Sequence, residues 1–219
     1  VKILTIRDLG FLSASTSSAP INYGDKKLAV LFEGANNSTT FTDSGANAVS
    51  ITAYNGAKIT TATFAQGTSS GEFTRSSSSY VGFASLGALN FGTGDFRIKF
   101  RARFTSLPSS TYTVICGLAT FNNTVPLVEF NSGPVMKLGF PWLGVNIESS
   151  TLSVSTNTWY DFEVSRTGTT VTLKQDGASV GSGTFGSVVN LGAGGTEIGG
   201  NSTFGGKHFD GQIDELLIE

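Results

Sequence analysis

A two-sheet, antiparallel, all-β sandwich of the jelly-roll kind, preceded by an extended N-terminal arm, is the fold that this sequence predicts. Three observations lead there. In the stretch 159–181, Tyr160, Phe162 and Val164 alternate with Asp161, Glu163 and Ser165, the period of two that a sheet with one buried side requires. Turn pairs fall at strand spacing: Arg166 to Thr169 around Gly168, then Asp176-Gly177. Charged residues are 14% of the chain, against about a quarter in an average soluble domain, while 28 glycines and many Ser and Thr replace helix-forming runs.

Taken in order, residues 1–27 form the arm. They open on the apolar VKILTI and continue as FLSASTSSAPINYGD, small and Ser-rich and broken by Pro20 and Gly24, with little to bury. The sandwich occupies 28–219. Within 91–104, Phe96, Ile98, Phe100, Ala102 and Phe104 point inward. Arg97, Lys99, Arg101 and Arg103 share the opposite face as a basic ladder, to be paired with acids of a neighbouring strand or left in solvent. Pro126, Pro134 and Pro141 break the middle into short strands, edges and loops. The meander 159–181 supplies Tyr160, Phe162, Val164, Val171 and Leu173 to the core, which Ile198 and Ile213 complete.

A chain of 219 residues suits one core. A net charge of −2 leaves no basic stripe for phosphates, so nucleic acid is not an expected partner. No apolar run is long enough to span a bilayer, so membrane insertion is not expected either. Cys116 stands alone, which excludes an internal disulfide, and reads as a small buried residue of an apolar strand. His208 is the single histidine, so His-based triads and the usual zinc sites lack their parts. The opening VKILTIRDLG carries charges where a secretory leader has its apolar run.

Several segments carry a resemblance. The run from Trp159-Tyr160 through Arg166, Gly168, Val171 and Leu173 to Asp176-Gly177 resembles the signature hairpins of concanavalin A-like lectin/glucanase domains of the laminin-G-like and pentraxin type. Phe32-Glu33-Gly34, Phe41-Thr42-Asp43-Ser44-Gly45 and Gly67 to Phe73 are similar to the opening of such domains in phage tail and virion proteins. Here the acid at 33 is Glu, and Thr74-Arg75 follows in place of Asp-Gly. The segment 91–104 and the closing Ile198-Gly199-Gly200, Phe209, Gly211, Ile213-Asp214-Glu215 and Ile218 extend the likeness over about 27–219.

The resemblance implies a non-enzymatic virion surface protein, a capsid decoration or tail component. It would attach to other virion proteins through residues 1–27 and take host or substrate glycans. The alternative is a secreted or cell-surface carbohydrate-binding module, and a homo-oligomer stays open. Trp142 beside Phe140 in GFPWLG is the aromatic candidate for a sugar platform, because ring faces suit the apolar C–H faces of sugars. By the resemblance, Asp214, Glu33 and Asp43 are candidate ligands of a structural Ca²⁺, with backbone oxygens completing the set. Asp214 reads equally as a cap for backbone amides. No catalytic residue is expected. Glucanases of this architecture set acid and nucleophile on alternate positions of one strand, yet Gln212 precedes Ile213-Asp214-Glu215 here, and Asp161 and Glu163 lie on the outer face of a signature hairpin.

Overall fold

The alternating segments pair as antiparallel strands in a computed structural model that describes residues 23–108, 113–118, 127–140, 143–190, 195–202 and 207–219. In chain order these are β1 (Leu28–Val30), β2 (Phe41–Thr42), β3 (Ser50–Tyr54), β4 (Lys58–Thr60), β5 (Ser70–Phe73), β6 (Tyr80–Phe83), β7 (Asn90–Gly92), β8 (Phe96–Phe104) and β9 (Thr113–Leu118). They continue as β10 (Leu127–Asn131), β11 (Val135–Phe140), β12 (Val145–Glu148), β13 (Trp159–Thr167), β14 (Thr170–Gln175), β15 (Ala178–Thr184), β16 (Val189–Asn190), β17 (Thr196–Ile198) and β18 (Gly211–Ile218). Among the described residues the helical structure is two single 3₁₀ turns, Arg75–Ser77 and Gly87–Leu89. No helix among them is long and apolar enough to cross a membrane.

The first sheet runs β15-β14-β13-β8-β18-β5-β4, with β1 also against β18; the second runs β12-β11-β10-β9-β17-β6-β3-β2. Their inner faces meet in one core. Phe100, Phe104, Phe130 and Phe162 interlock there, Phe130 lying 5.0 Å from Phe162 and 5.1 Å edge-on from Phe104. Offset and edge-on rings at such spacings add to the area they bury. All the predicted core residues lie there, with Tyr160 only partly buried at its margin. Cys116 is buried as expected. The β14–β15 turn has both Asp176 (φ 50) and Gly177 (φ 80) in the left-handed region, as a two-residue hairpin turn with this twist requires. On the free side of β15, Gly181 lets the two sheets approach: a Cβ there would run into the backbone of Glu148 and Ser149.

Arg166 departs from the sequence expectation. Expected in the turn, it sits in β13 with its side chain inward and 1% exposed. Its guanidinium donates to the carbonyls of Gly92, Gly94 and Ser187 and lies over the Phe96 ring. Five donors in a planar fork can serve several carbonyls at once, so the residue ties two loops to the end of the sandwich without a carboxylate partner.

The arm expectation falls largely on residues 1–22, which lie outside the described residues. Its last part is fixed to its own sandwich: Lys27 N–H donates to the Ile218 carbonyl at 2.8 Å, and Tyr23 Oη–H to Glu215 at 2.8 Å.

Candidate functional site

The three carboxylates expected around calcium are not brought together. Among the described residues no group of three or more His, Cys, Asp or Glu is placed to hold a metal. Each is engaged by backbone amides or hydroxyls. A bulge in β18 at Asp214 to Leu217, with Glu215 at φ 46, frees a strand amide. Asp214 Oδ1 takes that Glu215 N–H at 2.9 Å, and Oδ2 takes Ala65 N–H at 2.9 Å and Gln66 N–H at 3.0 Å. Burial pushes its carboxyl up to about 6, against the lowering effect of those amides. Asp43 accepts from Ala29 N–H (2.9 Å), Gly45 N–H (2.8 Å) and Val49 N–H (3.1 Å), so it joins β1 to the β2–β3 loop. Glu33 accepts from Thr68 N–H and Oγ1–H and from Ser69 Oγ–H. Donors converging on a carboxylate surround it with positive dipoles, the opposite of the oxygen cage that a hard cation needs. The residues do not fit a Ca²⁺ site; they cap backbone.

Of the two aromatic candidates, Phe140 lies among the described residues. Phe140 is 0% exposed on the inner face of β11, stacked on Phe185 at 3.9 Å between ring centres, so neither face is open to a ligand. Its place in the alternation Met136, Leu138, Phe140 explains this. Trp142 lies outside the described residues. Trp159 is structural, its Nε1–H donating to Thr63 Oγ1 at 3.2 Å.

The outer face of the first sheet is filled by paired charges. Arg101 meets Asp161 at 2.7 Å and Glu215 at 3.2 Å. Arg97 pairs with Glu219, Arg103 Nη1–H donates to Gln212 at 2.7 Å, and Lys174 meets Glu163 at 2.9 Å. Arg97 and Arg101 of the basic ladder are thus paired with acids of neighbouring elements, and Arg103 with a neutral amide.

The second sheet's outer face is built differently. Across β3, β6, β17 and β9 the register sets Thr52 opposite Gly82, Gly82 opposite Glu197, and Glu197 opposite Gly117. The space over Gly117 is taken by the Leu127 side chain, but Gly82 leaves a bare backbone floor beside Glu197. Over it stand Tyr54 and Tyr80, cross-strand partners whose rings stack at 4.6 Å with 14° between planes. A Cβ at position 82 would sit 3.5 Å from the Tyr54 ring and 3.6 Å from Glu197 Cγ. The result is a groove of about 510 Å³ lined by Ser50, Thr52, Tyr54, Tyr80, Gly82 and Glu197, and ending at Phe83, Ala84, Gly195 and Thr196.

Tyr54 is 42% exposed, while Glu197 is 4% exposed. Ser202 fixes the carboxylate, its N–H donating to Oε2 at 2.7 Å and its hydroxyl to Oε1 at 2.5 Å. Burial, and then the negative charge of Glu197, push the Tyr80 phenol above its ordinary value. Its hydroxyl therefore stays protonated and able to donate.

Beyond β9 the same face is closed. Glu129 and Lys137, directly opposite on β10 and β11, form an ion pair of 2.6 Å with side chains 3% and 6% exposed, and Glu148 follows opposite Lys137 on β12. Burial raises the Glu129 carboxyl in spite of Lys137, and lowers Lys207 in spite of Glu129. None of Tyr54, Tyr80, Gly82, Glu129 and Glu197 was singled out by sequence. The available signal was the outward set Ser50, Thr52, Tyr54 in SITAY, two of them hydroxylic and one aromatic, ending on the turn Asn55-Gly56. Which strand would lie beside it was not readable.

Comparison with known proteins settles the family. The model of the concanavalin A-like lectin/glucanases superfamily, in its laminin G form, matches residues 75–219. The chain belongs to this superfamily. No curated protein matches it. Among solved structures it is similar to the binding domain of Paraclostridial mosquitocidal protein 1 (TM-score 0.66, 16% identity, covering 89% of this chain and 48% of that one). Domain 4 of AbnA, a GH43 extracellular arabinanase from Geobacillus stearothermophilus, solved with arabinotriose, matches at TM-score 0.65 and 17% identity over 89% of this chain and 91% of that one. The botulinum neurotoxin serotype G binding domain matches at 0.65 and 12%, over 89% and 47%. The superfamily member thus spans about half the length of the toxin binding domains and nearly all of the arabinanase domain. At these identities the likeness is one of fold: a jelly-roll sandwich of the kind that carbohydrate-binding and receptor-binding domains use.

Proposed function

We propose that this domain is a carbohydrate-binding module that takes an oligosaccharide in the groove over β3, β6 and β17. The observation that carries the reading is the Tyr54–Tyr80 stack standing over a glycine floor beside a fixed, buried carboxylate. A sugar ring offers an apolar C–H face and a rim of hydroxyls. The half-exposed ring of Tyr54 suits the first, and Ser50, Thr52, Tyr80 and Glu197 suit the second. The fold shared with an arabinanase domain solved with arabinotriose supports the class of ligand.

Binding rather than hydrolysis is favoured by the acids. Among the described residues Glu197 is the one carboxylate lining the groove and is held on both oxygens, and Glu129 is paired with Lys137. A hydrolase needs two carboxyl groups flanking one bond. A place on a virion surface draws its support from the resemblance of residues 32–73 to phage domains, and co-purification with particles would test it. The ligand reading is tested by screening the protein on a glycan array and titrating the hits. Saturable binding that Tyr54→Ala removes is the expected result; no binding to any glycan, or binding indifferent to Tyr54, would overturn it.

A further inference from the structure

From the charge of the groove we infer its ligand class: it accepts neutral oligosaccharides and excludes those bearing carboxylate or sulfate groups. This rests on the glycan-binding reading above and narrows it.

The described residues lining the groove include no Lys, Arg or His, and one charged side chain, Glu197. That carboxylate is 4% exposed and cannot swing away, because Ser202 holds both oxygens. Each oxygen takes one hydrogen bond there, which leaves a lone pair on each for a ligand hydroxyl; a carboxylate can only accept. Neutral sugar hydroxyls are donors and fit. An anionic sugar brings a second negative charge onto a partly dry floor, where the repulsion is screened far less than in water. No guanidinium or ammonium stands in the lining to receive it.

Cations near by stand outside the groove lining. Lys137 faces Glu129 on the closed half of the sheet, and Arg75 Nε–H donates to the His208 carbonyl at 3.1 Å. His208, 6.0 Å from the Tyr80 ring, is held below its ordinary value by burial and so is neutral at pH 7. Discrimination here comes from repulsion of the wrong ligand as well as attraction of the right one.

The test uses matched pairs: a neutral oligosaccharide that binds, and the same chain with one ring oxidised to the uronic acid, titrated into the full chain by calorimetry. The oxidised chain should bind at least about tenfold more weakly. Glu197→Gln should reduce the gap to within about threefold, since Gln keeps an acceptor but no charge. A second variant guards against misfolding at the buried site: Thr52→Lys, on the exposed groove wall, should turn the preference toward the oxidised chain. Equal or tighter binding of the oxidised chain by the unaltered protein, with both ligands lost in Tyr54→Ala, would overturn the inference and leave the glycan reading standing. Absence of binding by either ligand would overturn both.

Discussion

The outer faces of the two sheets were made from the same backbone geometry and serve opposite ends. On the first sheet, long side chains of both signs cover the strands and satisfy one another: Arg97 with Glu219, Arg101 with Asp161 and Glu215, Lys174 with Glu163. On the second, across β3, β6 and β17, the outward positions are Thr52, Gly82 and Glu197, short or absent side chains beside one fixed acid, with two tyrosines above them. Side chains paired in this way leave the first face little that is flat and apolar for a sugar ring. A face with bare backbone, an aromatic stack and an immobilised acceptor has surface left for a ligand. Location within the fold therefore says less about function than how the outward side chains are spent.

The largest effect is expected where the second sheet's outer face is closed. Glu129→Ala would take from buried Lys137 its ion-pair partner at 2.6 Å, and should cost about 3–5 kcal/mol of stability in urea unfolding. Replacing both residues by Leu should recover most of that loss, because the pair's attraction is largely spent on desolvation. A loss below about 1 kcal/mol for Glu129→Ala would mean that this half is open, and the contrast between the halves would fail.

Next comes acid stability. Asp214 has a folded pKa of about 6 against an ordinary 3.8. The folded state therefore binds the proton more tightly, and the stabilisation from protonation is fully present below the unfolded value and lost as pH rises through 6. Relative to Asp214→Asn, the unaltered protein should lose up to roughly 3 kcal/mol between pH 4 and pH 7. A difference between the two proteins that does not change over that range would show that the loop amides of Ala65 and Gln66, rather than burial, set the carboxyl's behaviour.

Filling the groove should separate binding from folding. Gly82→Leu places a side chain between Tyr54 and Glu197, at ordinary contact distances, so glycan affinity should fall by at least tenfold while stability moves by about 1 kcal/mol or less. The smallest effect belongs to the first sheet. Arg97→Ala removes a half-exposed pair with Glu219 and should cost less than about 1 kcal/mol, less still in high salt, with no change in glycan binding.

What the sequence made legible was the periodicity. Phe96 to Phe104 and Tyr160 to Leu173 alternate so strictly that both strands, their faces and the Asp176-Gly177 turn could be read directly, and the basic ladder with them. Arg166 was misplaced because a charge beside Thr167-Gly168 looks like turn chemistry, and only the loops at 92–94 and 187 reveal the carbonyls that admit it to the interior. The metal expectation has a related origin: an acid that satisfies backbone amides and an acid that ligates calcium look alike in sequence, and the difference lies in which atoms fold against them. The groove was invisible because it depends on β3 lying beside β6, and β6 beside β17, the latter a pairing between segments more than a hundred residues apart.

The account stands most directly on Tyr54. Calorimetric titration of the unaltered protein, Tyr54→Phe and Tyr54→Ala with one glycan that binds, alongside their melting curves, measures its role without disturbing the core. The prediction is that Phe keeps affinity within a fewfold and Ala loses at least tenfold, in keeping with the roughly 0.5–1.5 kcal/mol that aromatic contacts add beyond buried area, together with that area itself. Melting temperatures should stay within a few degrees. Equal affinity in all three proteins would contradict the claim that the outer face of the second sheet is where this domain binds sugar.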